Sequence, residues 1–89
     1  MAESYTSPVV ARMDDDYMAA FLCSLPSDAR VTIEITYGRD QELMARDRPG
    51  EGRRFTNLTS GTEWFITPES LNNLGVIAVH VHPFTIKHY

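Results

Sequence analysis

His80-Val81-His82 sets two imidazoles two positions apart, and on a strand residues i and i+2 project to the same side. That is the start of a transition-metal site, with His88 a third ligand if the chain beyond the strand folds back. A metal site needs three or four donors, and no Asp, Glu or Cys lies beside the pair in the sequence. Histidines on the solvent face of a terminal strand are more often ordinary surface residues. No metal or other cofactor is therefore assigned.

Arg46, Arg48, Arg53 and Arg54 form a second candidate, around the loop Asp47-Arg48-Pro49-Gly50-Glu51-Gly52. Guanidinium forks on a loop could clamp a phosphate or a partner's carboxylates. Asp47 and Glu51 interleave with them, so four arginines against two acids leave a local charge of only +2. The glycines lack the lysine and spacing of a phosphate-binding loop. The pattern predicts a solvated loop with local ion pairing.

Three further features have plain readings. Cys23 is the single cysteine and lies one step off a helical apolar stripe; a nucleophile would need a base and a lowered pKa, so it reads as a small buried hydrophobe. Asp14-Asp15-Asp16 opens a helix, where carboxylates cap free N–H groups and oppose the positive end of the dipole. Asp16 also adds an acidic spot for a basic partner. Asn57-Leu58-Thr59 fits a glycosylation sequon, which matters only on a secreted chain.

Trp64 and Phe65 are neighbours on a strand and must face opposite sides. One belongs in the core and the other on the far face of the sheet, where an exposed aromatic is a typical interface anchor.

The elements that hold these residues follow from periodicity. Val9, Val10 and Met13, after Pro8, suit a first strand at a sheet edge. Tyr17, Met18, Phe21, Leu22 and Leu25 recur on one face of a helix that Pro26 ends. Arg30 to Tyr37 alternates, with Val31, Ile33, Ile35 and Tyr37 on the apolar side. Gln41 to Arg46 returns as its hairpin partner, and Arg53 to Leu58 with Thr62 to Ile66 forms a second hairpin. Thr67-Pro68-Glu69 starts a short helix that Gly75 stops. Val76 to His82 is the last strand, with Ile77, Val79 and Val81 together on one face. The sum is one α+β domain over residues 1–89: an antiparallel sheet of four to six strands, an amphipathic helix on one face and a second short helix.

Composition bounds the function. The 43% hydrophobic content is that of a globular chain, and 89 residues bury one modest core. A lone cysteine suits a reducing compartment. The first residues show neither a basic region nor an apolar run, and no stretch approaches the ~20 apolar residues a membrane helix needs. A cytoplasmic protein is expected, in a host's cytoplasm if phage-encoded. A formal charge of −4 argues against general nucleic-acid binding and is too small for a DNA mimic.

The segment from Phe21 to Glu34, with Leu25-Pro26-x-Asp28-Ala29-x-Val31-x-Ile33 at its heart, is similar to a helix–turn–strand unit of many small phage and bacterial proteins. The resemblance covers under a fifth of the chain and implies a phage or mobile-element origin, not an activity. One long helix cannot cover both faces of such a sheet, which leaves a face open for dimerisation or a partner. The expected function is a small acidic, non-catalytic protein-interaction module, an accessory protein that inhibits or modulates a host protein. Its contacts would come from Trp64, Phe65, the four loop arginines, Asp14, Asp15 and Asp16. Metal binding or small metal-dependent catalysis at His80 and His82, and nucleic-acid binding by the arginine loop, are the alternatives.

Overall fold

The structure is a computed structural model that describes residues 2–4, 9–83 and 85–87. Its elements in chain order are β1 (Ala2–Ser4), β2 (Val9–Ala11), α1 (Asp15–Ser24), β3 (Arg30–Ile35), β4 (Gln41–Ala45), β5 (Arg54–Asn57), β6 (Glu63–Phe65), α2 (Pro68–Leu74), β7 (Val76–Val81) and β8 (Thr85–Lys87). Six strands form one sheet in the order β2-β7-β3-β4-β5-β6, and every neighbouring pair is antiparallel. This is the expected α+β architecture. The end of the chain adds a pairing that periodicity left open: β8 runs antiparallel to β1 as a separate two-stranded ribbon.

Both helices begin and end for local reasons. Asp14 caps α1, its carboxylate accepting the Tyr17 N–H at 2.8 Å, and Asp15 and Asp16 occupy the first turn. Leu25 is extended, as a residue before proline must be, and α1 stops there. Thr67 and Ser70 form a reciprocal capping box over Pro68, and α2 ends at Gly75, whose φ of 71° is left-handed.

The connections explain where the core lies. β2 and β3 are parallel with β7 between them, and α1 joins them; β6 and β7 are parallel, and α2 carries the chain back across the sheet. The two crossovers run in opposite directions over oppositely directed strands. Crossovers of one hand, almost always the right, then place both helices on the same face. Met18, Leu22 and Leu71 accordingly share a single cluster with Val31, Ile33, Leu43, Phe55, Val79 and Val81.

Three residues depart from strict alternation. β3 ends at Ile35, so Tyr37, expected on the apolar side, is 93% exposed before the turn at Gly38. In β7 the register with β3 passes from Ala78 opposite Glu34 to Val76 opposite Ile35. Ile77 is the extra residue of that bulge and is 52% exposed, while Val76 takes the core place expected of it. The remaining differences are strand ends shifted by one or two residues.

Candidate functional site

With both helices on one side, no helix among the described residues covers the other face of the sheet. Cross-strand rows can be read from the register. Val10, His80, Thr32 and Glu42 form one row, and Arg30, Met44, Thr56 and Glu63 the next. Arg54 and Phe65 close the β5–β6 edge. Phe65 is the exposed aromatic of the Trp64-Phe65 pair, at 57%, whereas Trp64 lies opposite Phe55 and packs on the core.

His80 and His82 project from this face, as their spacing predicts, into a hollow of about 350 Å³ lined also by Thr32, Glu34, Asp40 and Pro83. His80 Nε2 lies 3.0 Å from a Glu34 carboxylate oxygen, and His82 Nε2 lies 2.7 Å from the Thr32 hydroxyl. The acid absent from the neighbouring sequence thus comes from β3, as Glu34 forty-six positions upstream of His80, and β3 also supplies the Thr32 hydroxyl fifty positions upstream of His82. Carboxylate and hydroxyl contact different rings, so they do not line up as hydroxyl, base and orienting acid. Among the described residues, no group of three or more His, Cys, Asp or Glu is placed to hold a metal ion. His88 lies outside the described residues.

The four loop arginines have four different fates. Arg53 is buried, 3% exposed, and points inward. Its Nε donates to the Arg46 carbonyl at 2.7 Å and its Nη2 to that of Asp47 at 3.0 Å. Nη1 donates to the carbonyls of Leu22 and Leu25 at the end of α1, where the Leu22 carbonyl also accepts the Leu25 N–H. Burial lowers its pKa, opposed by Cys23 and Asp47, but a guanidinium stays charged at any ordinary pH. Arg54 makes a bidentate contact with Asp47, at 2.8 and 2.9 Å, and reaches Glu63 at 3.0 Å. That hydrogen-bonded contact holds the Asp47 carboxyl below the usual carboxylate range and raises the Arg54 pKa. Arg46 stands 3.7 Å from Asp28 in an exposed pair. Arg48 is exposed and has no ion pair among the described residues. Of the two interleaved acids, Asp47 pairs with Arg54, and Glu51 has no ion pair among the described residues.

Asp14 is the cap of α1 and Asp15 is half-buried in its first turn; Asp16 is exposed. Cys23 is half-buried, its thiol turned to the Ile66 carbonyl at 3.6 Å. Asn57 is buried and hydrogen-bonded at both ends of its amide: the nitrogen donates to Gln41, and the oxygen accepts from the Thr59 and Ser60 N–H groups.

Thr32, Glu34 and Asp40 are the residues of the hollow that sequence reasoning passed over. The polar side of the β3 alternation was the available signal for the first two, but the register that sets them beside β7 is non-local. Compared with protein-family models, curated proteins and solved structures, the chain matches none.

Proposed function

We propose that this chain is a non-catalytic protein-interaction module that meets its partner with the helix-free face of its sheet. We read it as an accessory protein of phage or mobile-element origin that binds and modulates a host protein in the host cytoplasm. The observation that carries the reading is Phe65, a large aromatic held 57% exposed on the uncovered face beside a row of mixed polar residues. Aromatic anchors surrounded by polar groups are the usual makeup of a binding patch. The resemblance of the segment from Phe21 to Glu34 supports the proposed origin. Among the described residues, no helix is long and apolar enough to cross a membrane.

The test is capture of binding partners from a host lysate by the wild-type chain and by Phe65→Ser, with Tyr37→Ser as an exposed aromatic control off the sheet. The expected outcome is a specific partner whose affinity falls at least about tenfold with Phe65→Ser, the scale of a hot-spot residue, and is unchanged by Tyr37→Ser. Repeated failure to capture a partner, or equal capture by all three proteins, would overturn the proposal.

Metal binding at His80 and His82 draws support from Glu34 and Asp40 sharing their hollow. It is opposed by the engagement of both Nε2 atoms with Glu34 and Thr32. Elemental analysis of protein purified without a histidine tag decides it, since stoichiometric zinc, iron or nickel is required. Nucleic-acid binding by the arginine loop has lost most of its basis, because Arg53 is buried and Arg54 is held by two acids.

A further inference from the structure

On the helical side of the molecule, an open groove of about 560 Å³ runs between α1, the loop before β5 and the start of α2. Its floor is made of short or apolar groups: Ala20 and Cys23 from α1, Gly52 from the loop, and Ile66 and Pro68 from the approach to α2. Two carboxylates stand among its lining residues, Asp16 and Glu51, and no Lys, Arg or His does. Asp28 is matched by Arg46, Asp47 and Glu63 by Arg54, and Glu34 by His80, while Asp14, Asp15, Asp40, Glu42 and Glu69 have no ion pair among the described residues. Asp16 and Glu51 have no ion pair among the described residues, and both are exposed.

Helix capping and the dipole of α1 account for an acid at Asp16, in the first turn, but not for Glu51 beside it in the groove lining. Asp14 supplies the cap, and Glu51 belongs to a loop that follows the end of α1, not its start. An apolar trough with uncompensated negative charge complements a group with an apolar stem and a cationic head. Lysine and arginine side chains have that form, laying their methylenes on apolar surface while the charge reaches an acid.

We infer that the groove between α1 and α2 is a second docking surface, one that receives a lysine or arginine side chain from a short basic segment of a protein partner. The site is separate from the helix-free sheet face, and each can fail without the other.

The probe is an acetylated, amidated pentapeptide, Ala-Leu-Arg-Leu-Ala, titrated to millimolar concentration into the ¹⁵N-labelled full chain, beside a twin with glutamate at its centre. The arginine peptide is expected to shift the amides of Ala20, Cys23, Gly52 and Ile66, and the glutamate peptide to leave them in place. The double variant Asp16→Asn/Glu51→Gln should weaken the arginine peptide about five- to tenfold, the scale of two partly exposed charges. Ala20→Trp, on the exposed side of α1, should abolish the response by filling the groove. Bound peptide should also slow alkylation of Cys23 by iodoacetamide. Unchanged thermal melts certify that both variants fold; a variant that fails to melt normally is replaced by Asp16→Ser/Glu51→Ser or Ala20→Leu. Equal response to both peptides, shifts confined to other residues, no response at millimolar peptide, or full binding by the neutralised variant would overturn the inference.

Discussion

Arg46, Arg48, Arg53 and Arg54 are the same side chain within nine positions of one another, and nothing local distinguishes them. Tertiary placement does. Arg53 follows a strand edge inward and satisfies carbonyls at the end of α1 and in the loop, so its charge also opposes the negative end of the helix dipole. Arg53→Met should cost about 2–4 kcal/mol, because several buried carbonyls lose a charged donor at once. Arg53→Lys should recover little of it, since an ammonium lacks the fork that reaches carbonyls on both sides. Thermal and urea melts measure both. Asp47 offers a separate check. Its carboxyl pKa is lower in the folded protein than the ordinary 3.8, chiefly through the Arg54 hydrogen bonds. That contact therefore stabilises the fold above the ordinary value and loses its contribution as pH falls through the lower folded one. A carboxyl carbon titration by NMR should show Asp47 ionising below the ordinary 3.8, and Arg54→Gln should raise it back toward that value. The sequence predicted ion pairing in this loop from its interleaved acids. It held no sign that Arg53 turns inward, because two of the acceptors it serves, the carbonyls of Leu22 and Leu25, lie some thirty positions away at the end of α1.

At the scale of elements, legibility follows the range of the forces involved. The Asp14 cap, the stop at Leu25 before Pro26, the Thr67 cap and the stop at Gly75 are set by residues within one turn and could be read from the sequence, whereas the reciprocal bond from Ser70 could not. Asp14→Ala should accordingly destabilise the protein by about 1 kcal/mol, the usual worth of such a cap. Pairing register is different, because β7 meets β3 across more than forty positions and the bulge at Ile77 has no local signature. Alternation alone assigns Ile77 to the core and leaves Val76 outside it, and the bulge inverts that. The inversion is measurable. Val76→Ala should cost about 2 kcal/mol through lost apolar burial and the cavity left behind. Ile77→Thr, at an exposed bulge position, should stay within about 0.5 kcal/mol of wild type. The hollow around His80 and His82 has the same non-local origin, since its polar pairs join β3 to β7 and the residue after it across 46 and 50 positions.

For the whole molecule, the decisive feature is that two crossovers of one hand put both helices on a single side of a six-stranded sheet. Composition and helix count already implied an uncovered face; which aromatic would stand on it needed the β5–β6 register, which puts Phe65 outward and Trp64 against Phe55. Size then limits what that face can do by itself. Six strands at about 4.8 Å spacing make it roughly 25 Å across, and its strands are short. A face of those dimensions supplies well under the ~800 Å² per partner of a standard stable interface. A homodimer built on the sheet face alone belongs to the weak, transient class, and a tight complex must recruit a second surface. The acidic groove between the helices lies on the other layer and cannot extend the same flat contact. A single partner that uses both must wrap around an edge of the domain, whereas two partners can bind at once. Sedimentation velocity is therefore expected to show a monomer at concentrations of about 10 µM and below, with reversible association, if any, only above it, and Phe65→Ser should remain monomeric throughout. A stable dimer at nanomolar concentration would require an interface larger than this face, and would move the search to the edge strands β2 and β6.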